Sequence, residues 1–318
     1  MKETFMNTKI TILGVCCGTA LLPATLKAQL FSDVGMTDSA NWTVNASPLT
    51  TGATIDYVDN FGVSYTSTLG VPQDPNSSSA TALQLKINET SGNQAGVSVS
   101  PTTLALSGNF SMSFDMWLNY NSGGFTTGST QVGSYGLTSS ASQVQWAGIA
   151  NGQLFGEITD NGSSTSYRGY NAGASIGATP FTGGSQSYAS AYHVGLFPSV
   201  NVPAAETALD ANEYGSTVAG TVGFRWLQVN VTENNGVLTE SIDGNTIASY
   251  SAASVGSDLF LGMYDINNGS AGVSGLADQN YALFDNVTVT ALPAPEPATA
   301  ALAVLGGAGL LLLRRRKI

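Results

Sequence analysis

From about residue 30 to residue 290 the chain alternates apolar and polar residues in short runs broken by Gly, Asn, Asp and Ser. Successive side chains on an extended strand point to opposite faces, so a period of two reads as a half-buried strand. Residues 111–120 are the clearest case. Met112, Phe114, Met116 and Leu118 face one way, and Ser113, Asp115, Trp117 and Asn119 face the other. Leu83, Leu85 and Ile87 repeat the pattern, as do Leu227, Val229 and Val231. Asn234-Asn235-Gly236 and Asp243-Gly244 then mark two hairpins, because tight hairpin turns need residues that tolerate positive φ. Residues 259–264 and 281–290 predict two more strands. No helical period of useful length occurs in this stretch, and no charge block or Pro-rich linker divides it. The pattern predicts one all-β domain over residues 29–290, an antiparallel β-sandwich. Residues 171–184 and 198–215 lack the alternation and predict loops decorating the sandwich.

The two ends are patterned differently. Lys2 and Lys9 precede a short apolar stretch over residues 10–22, and Leu26-Lys27-Ala28 offers a small residue for cleavage before Gln29. This predicts a secretory signal helix over residues 1–28. Cys16 and Cys17 are the only cysteines and fall inside it, so the exported domain is expected to lack disulfides and thiol metal sites. At the other end a Pro-rich linker over 291–297 contains Pro295-Glu296-Pro297. A hydrophobic helix with a basic tail follows over 298–318, and the tail carries Arg314, Arg315, Arg316 and Lys317. Its sixteen apolar or small residues would span about 24 Å as a helix, a little short of a bilayer core of about 30 Å.

This three-part tail resembles the PEP-CTERM sorting signal. The resemblance covers about the last 26 residues and implies export by a Gram-negative bacterium that makes exopolysaccharide. It also implies transient insertion in the inner membrane through the C-terminal helix, processing by an exosortase-type enzyme, and a final place at the cell surface or in the extracellular matrix. Inside the domain, residues 224–229, Ile242-Asp243-Gly244, residues 261–265 and Phe284-Asp285-Asn286-Val287 look like the second half of a concanavalin/laminin-G-like jelly roll. That resemblance implies a jelly-roll sandwich, and such domains often hold one structural Ca2+.

Charge narrows the partners. Between residues 29 and 294 only Lys86, Arg168 and Arg225 face nineteen acids, a net of −16. Neutralising phosphates takes clustered Lys and Arg, so no nucleic-acid partner is expected. The other seven cations lie in the two terminal segments.

Candidate chemistry is sparse. Gly173-Ala174-Ser175-Ile176-Gly177 has the Gly-x-Ser-x-Gly spacing of a nucleophile elbow. Gly177 and Pro180 leave no room for the helix that motif needs, so it reads as a flexible loop. His193, the single His, sits in a short β-like run and reads as a surface or loop residue. Glu157/Asp160 and Glu240/Asp243 are three apart, a spacing that splits them over two faces of a strand. No catalytic residue is therefore assigned, and an enzyme is not expected. Asp115, Trp117 and Asn119 share the face opposite the methionines. A flat aromatic flanked by hydrogen-bonding groups suits the apolar face and hydroxyls of a sugar. Tyr167, Arg168 and Tyr170 form a second such cluster. Asp265 and Asn267 place oxygens at alternate positions in a loop, and Asp285 joins them by the jelly-roll resemblance as the Ca2+ ligand set. The function expected is binding of exopolysaccharide or another extracellular glycan through a sheet face. The alternatives are a structural matrix component without a discrete ligand, and a glycoside hydrolase or lyase on a jelly-roll scaffold.

Overall fold

The computed structural model describes residues 28–48, 55–87, 94–120, 131–141, 144–145, 152–159, 166–172, 174–175, 185–252, 254–266 and 279–293. The expected signal helix, the sorting tail with Pro295, Glu296, Pro297, Arg314, Arg315 and Arg316, and Asn267 lie outside the described residues.

The first half contributes β1 (Gln29–Asp33), β2 (Trp42–Pro48), β3 (Tyr57–Ser64), β4 (Thr81–Ile87), β5 (Ala95–Pro101) and β6 (Phe110–Leu118). Next come β7 (Gln131–Thr138), β8 (Gln153–Ile158), β9 (Tyr167–Asn171), β10 (Ala174–Ser175) and β11 (Ser185–Gln186). The last five are β12 (Trp226–Asn234), β13 (Val237–Ile242), β14 (Asn245–Ser251), β15 (Asp258–Asp265) and β16 (Ala282–Ala291). Short helices interrupt them at α1 (Tyr65–Thr68), α2 (Ala191–Leu196) and α3 (Ala204–Leu209).

The strands form two sheets. One runs β14-β13-β12-β6-β16-β4-β3, with β1 also on β16; the other runs β10-β9-β8-β7-β15-β5-β2, with β11 on β9. Every pairing between these strands is antiparallel. This is an all-β antiparallel sandwich, as the alternation predicts, and of the jelly-roll kind, as the resemblance implies. The two predicted hairpins form at β12–β13 and β13–β14. Asn235 and Gly236 take φ of 54° and 80°, and Asp243 and Gly244 take 50° and 76°.

The inner faces meet in one core. Met112, Phe114, Met116 and Leu118 of β6 pack with Leu227, Val229 and Val231 of β12 and Leu83, Leu85 and Ile87 of β4. The facing sheet supplies Val97 and Val99 of β5 and Leu259, Leu261 and Met263 of β15. A bulge in β16 between Asp285 and Thr288, with Asn286 at φ 53°, lets both Phe284 and Val287 reach this core.

A polar group lies inside the sandwich. Glu157 of β8 and Glu240 of β13 come from opposite sheets and meet the hydroxyl of Tyr135 of β7. The hydroxyl lies 2.9 Å from Glu157 Oε1 and also bonds Glu240 Oε1. A phenol carries one hydrogen, so it donates to one carboxylate and accepts from a protonated partner. Burial, and for Glu157 the charge of Glu240, pushes both carboxyls up, Glu240 to about 8.

Three expectations are corrected in the crossover between β11 and β12. Tyr192-His193-Val194 is helical, not β-like. Ser190 caps α2, its hydroxyl accepting from the His193 amide at 3.2 Å. His193 is a buried residue, not a surface or loop one. Its ring stacks on Tyr167 at 3.8 Å between centroids, and Ser187 O lies 3.0 Å from Nδ1. The stretch 198–215 holds α3, where Pro203 precedes a run of good helix formers.

Candidate functional site

The outer face of β6 is covered. Trp117, 1% exposed, packs with Tyr65, Val71, Phe224, Tyr281 and Leu283, and its ring lies 5.9 Å from that of Trp226. Trp226 Nε1 donates to Pro72 O at 2.7 Å, which ties the segment after α1 down onto the sheet. Gly70, at φ 74°, makes that approach possible. A Cβ there would lie 2.5 Å from Ala205 C and from Glu206 N, so this segment rests directly on the backbone of α3.

Asn119 follows β6 on the same face and links the sheet to the crossover. Trp117 Nε1 donates to Asn119 Oδ1 at 3.2 Å. Asn119 Nδ2 in turn donates to Gln279 O at 2.7 Å and to Glu213 Oε1. Glu213 is thereby held beside Glu206 of α3 at a cleft of about 200 Å³, which Leu69, Lys86, Leu209, Asp210 and Tyr281 also line. Glu206 is 1% exposed and neither of its carboxyl oxygens has a hydrogen-bond partner; Glu213 is 5% exposed and its Oε2 has none. Desolvation, with the Glu213 charge second, pushes Glu206 up to about 9. Desolvation pushes Glu213 up to about 8, against the lowering effect of its Asn119 bond.

The residues read from the sequence are dispersed by the fold. Asp115, Trp117 and Asn119 do share one face, but all three are buried, so none is an open sugar platform. Asp115 joins a carboxylate and amide network instead. Its Oδ1 accepts from Asn76 Nδ2 at 3.1 Å and its Oδ2 from Asn286 Nδ2 at 2.7 Å. Asp74 shares this network and is pushed up to about 7, by desolvation first and the Asp115 charge among the lesser causes. Asp285 Oδ1 accepts from Gly35 N and Asn286 N, both at 2.6 Å, which fastens the N-terminal segment to β16.

Tyr167, Arg168 and Tyr170 do not form one cluster, because neighbours on a strand point to opposite faces. Tyr167 joins the inner core and its hydroxyl donates to Gly220 O at 2.8 Å. Tyr170 packs outside the second sheet with Val132, Leu154, Ile158, Phe260 and Tyr264. The Ca2+ ligand set is not assembled either. Asp265 ends β15 in one sheet, in register with Ala95 and Gln131, whereas Asp285 lies on the outer side of the other. A sandwich core about 10 Å thick separates those positions. Among the described residues no three His, Cys, Asp or Glu side chains are grouped to hold a metal ion. Ala174 and Ser175 of the Gly-x-Ser-x-Gly stretch form a two-residue strand on β9.

Sequence reasoning missed Glu206 and Glu213. The available signal was Pro203 followed by Ala204-Ala205-Glu206, a helix start carrying an acid, inside a stretch read as decoration.

The fold and cleft together define an antiparallel β-sandwich with an acidic cleft on one outer face. No family model matches the sequence, and no curated protein matches it. Solved structures of similar fold include the carbohydrate recognition domain of Emp47p, at 12% identity, covering 84% of this chain and 98% of that one with a TM-score of 0.42. An endo-1,3-β-glucanase from Streptomyces sioyaensis is 12% identical, covers 87% of this chain and 100% of its own, and has a TM-score of 0.43. The Ca2+-bound exoplasmic/lumenal domain of VIP36 is 11% identical over 85% of this chain and 92% of its own, with a TM-score of 0.41.

Proposed function

We propose that this is an exported cell-surface or extracellular-matrix protein that binds carbohydrate in the cleft lined by Glu206, Glu213 and Tyr281. The observation that carries the reading is Glu206, buried in that cleft with both oxygens unpartnered. A buried polar group without a partner is costly, and a ligand rich in hydroxyls supplies the missing bonds. Leu69, Leu209 and Tyr281 add apolar surface for the face of a sugar ring. Affinity electrophoresis of the purified protein through polysaccharide gels tests the site. Wild type is expected to be retarded by at least one glycan and Glu213→Gln to migrate freely. Free migration of wild type in every gel would leave a structural matrix role without a discrete ligand, and equal retardation of both would place glycan binding outside this cleft.

Two carboxyls at one cleft also favour a second reading, a glycoside hydrolase. The raised positions of both groups weigh against it, since the reaction needs one carboxylate ionised beside one acid. Release of reducing ends from a panel of β-glucans would establish that reading. Export and sorting rest on the two terminal segments, with Pro295-Glu296-Pro297 as the processing region for an exosortase. Deleting residues 294–318 is expected to change the fraction of the cell in which the protein accumulates, and unchanged fractionation would remove the sorting role.

A further inference from the structure

Three acids line the cleft, Glu206, Asp210 and Glu213, and Lys86 is the one cation lining it among the described residues. A neutral hydroxyl ligand would satisfy lone pairs there and leave the carboxyls as acids, whereas an ammonium group brings three donors and a positive charge that pairs with a carboxylate as its proton leaves. The free acceptors match such a group: both oxygens of Glu206 and Oε2 of Glu213 are buried and unpartnered. Asn119 fixes the other Glu213 oxygen, so the free one is held in place. Size limits the rest of the ligand. About 200 Å³ is the volume of roughly seven waters, on the scale of one sugar ring rather than of a polysaccharide segment. A bare divalent ion fits less well, because the three acids, like any other three such side chains among the described residues, are not grouped closely enough to hold one.

We propose that the cleft selects a sugar unit carrying a free, protonated amine, with its ammonium seated between Glu206 and Glu213. The inference rests on the carbohydrate-binding reading and specifies the ligand class at the same site. The cleft by itself holds both carboxyls as acids, in line with their raised positions. Arrival of a cation favours their ionised forms, so binding releases protons.

Isothermal titration of the full protein with glucosamine oligosaccharides, matched N-acetylglucosamine oligosaccharides and glucose oligomers tests this at pH 7. Repeating the titrations in two buffers of different ionisation enthalpy counts the protons released. The free-amine oligomer is expected to bind at least tenfold more tightly than the acetylated one and to release protons. Glu206→Gln is expected to lose the preference and the release. That variant is neutral, as protonated Glu206 is, so it should fold; a thermal melt checks this, and Glu213→Gln provides a second variant. Equal affinity for the amine and acetylated oligomers would overturn the amine class while leaving carbohydrate binding intact. Failure of all three sugars to bind would overturn the amine class, and the carbohydrate reading would then stand or fall on the polysaccharide gels. Binding of Ca2+ alone, lost in Glu206→Gln and competing with glucosamine oligomers, would replace the ammonium with a metal ion.

Discussion

Replacing Glu240 by Gln tests whether the sandwich interior holds a shared proton. Glu240 and Glu157 reach Tyr135 from opposite sheets, and desolvation raises both carboxyls, Glu240 from 4.5 to about 8. An acid raised in the folded state binds its proton more tightly there than in the unfolded chain. Its contribution is therefore fully present below the unfolded value and is lost as pH rises through the folded one. The window for Glu240 runs from about pH 4.5 to about pH 8. One proton taken up on folding tilts stability by ~1.4 kcal/mol per pH unit, so about 3 kcal/mol disappears between pH 6 and pH 8. That is a large share of the ~5–15 kcal/mol that holds a domain together. Urea denaturation of wild type and Glu240→Gln from pH 5 to pH 9 measures it. Wild-type stability should fall with rising pH, and the variant should fall less steeply and exceed wild type at pH 9. Asp74 and Asp258, each pushed up to about 7, steepen both curves and cancel in the difference. Parallel curves would show that the pair holds no shared proton and would refute the reasoning.

Three further outcomes follow from the packing. Gly70→Ala places a Cβ against the backbone of Ala205 and Glu206 at φ 74°, so thermal melts should show a loss of about 2 kcal/mol or more, and glycan affinity should weaken as α3 shifts. Trp117→Phe leaves Asn119 Oδ1 without its donor; urea titration should register about 1–3 kcal/mol, with weaker glycan binding through the loosened Asn119–Glu213 contact. Asp285→Ala orphans the Gly35 and Asn286 amides, and faster hydrogen exchange over residues 29–36 than over β6 should report the loosened N-terminal strand.

The strands were legible because alternation is a local property. The inward set of β6, Met112, Phe114, Met116 and Leu118, can be read from ten residues, since a half-buried strand must separate its faces. The hairpins at Asn235-Gly236 and Asp243-Gly244 were legible for the same reason, as positive φ selects those residue types. The outward set carried no such information. Asp115, Trp117 and Asn119 look the same in sequence whether water or another part of the chain lies above them. Here α1 and the segment after it, together with residues near 200–224, lie above them.

The sequence by itself thus determined the class of the fold, the division into a −16 domain and two cationic ends, and the inward faces. Tertiary structure alone decided the strand order β12-β6-β16-β4, which pairs residues more than a hundred positions apart. It also decided where the isolated acids end up. Glu157 and Glu240 meet across the core, Asp115 and Asp285 adjoin in neighbouring strands, and Glu206 and Glu213 share a cleft. The physical reason is that faces follow from local backbone geometry, whereas the desolvation and pairing of a charge depend on whichever distant segment packs against it.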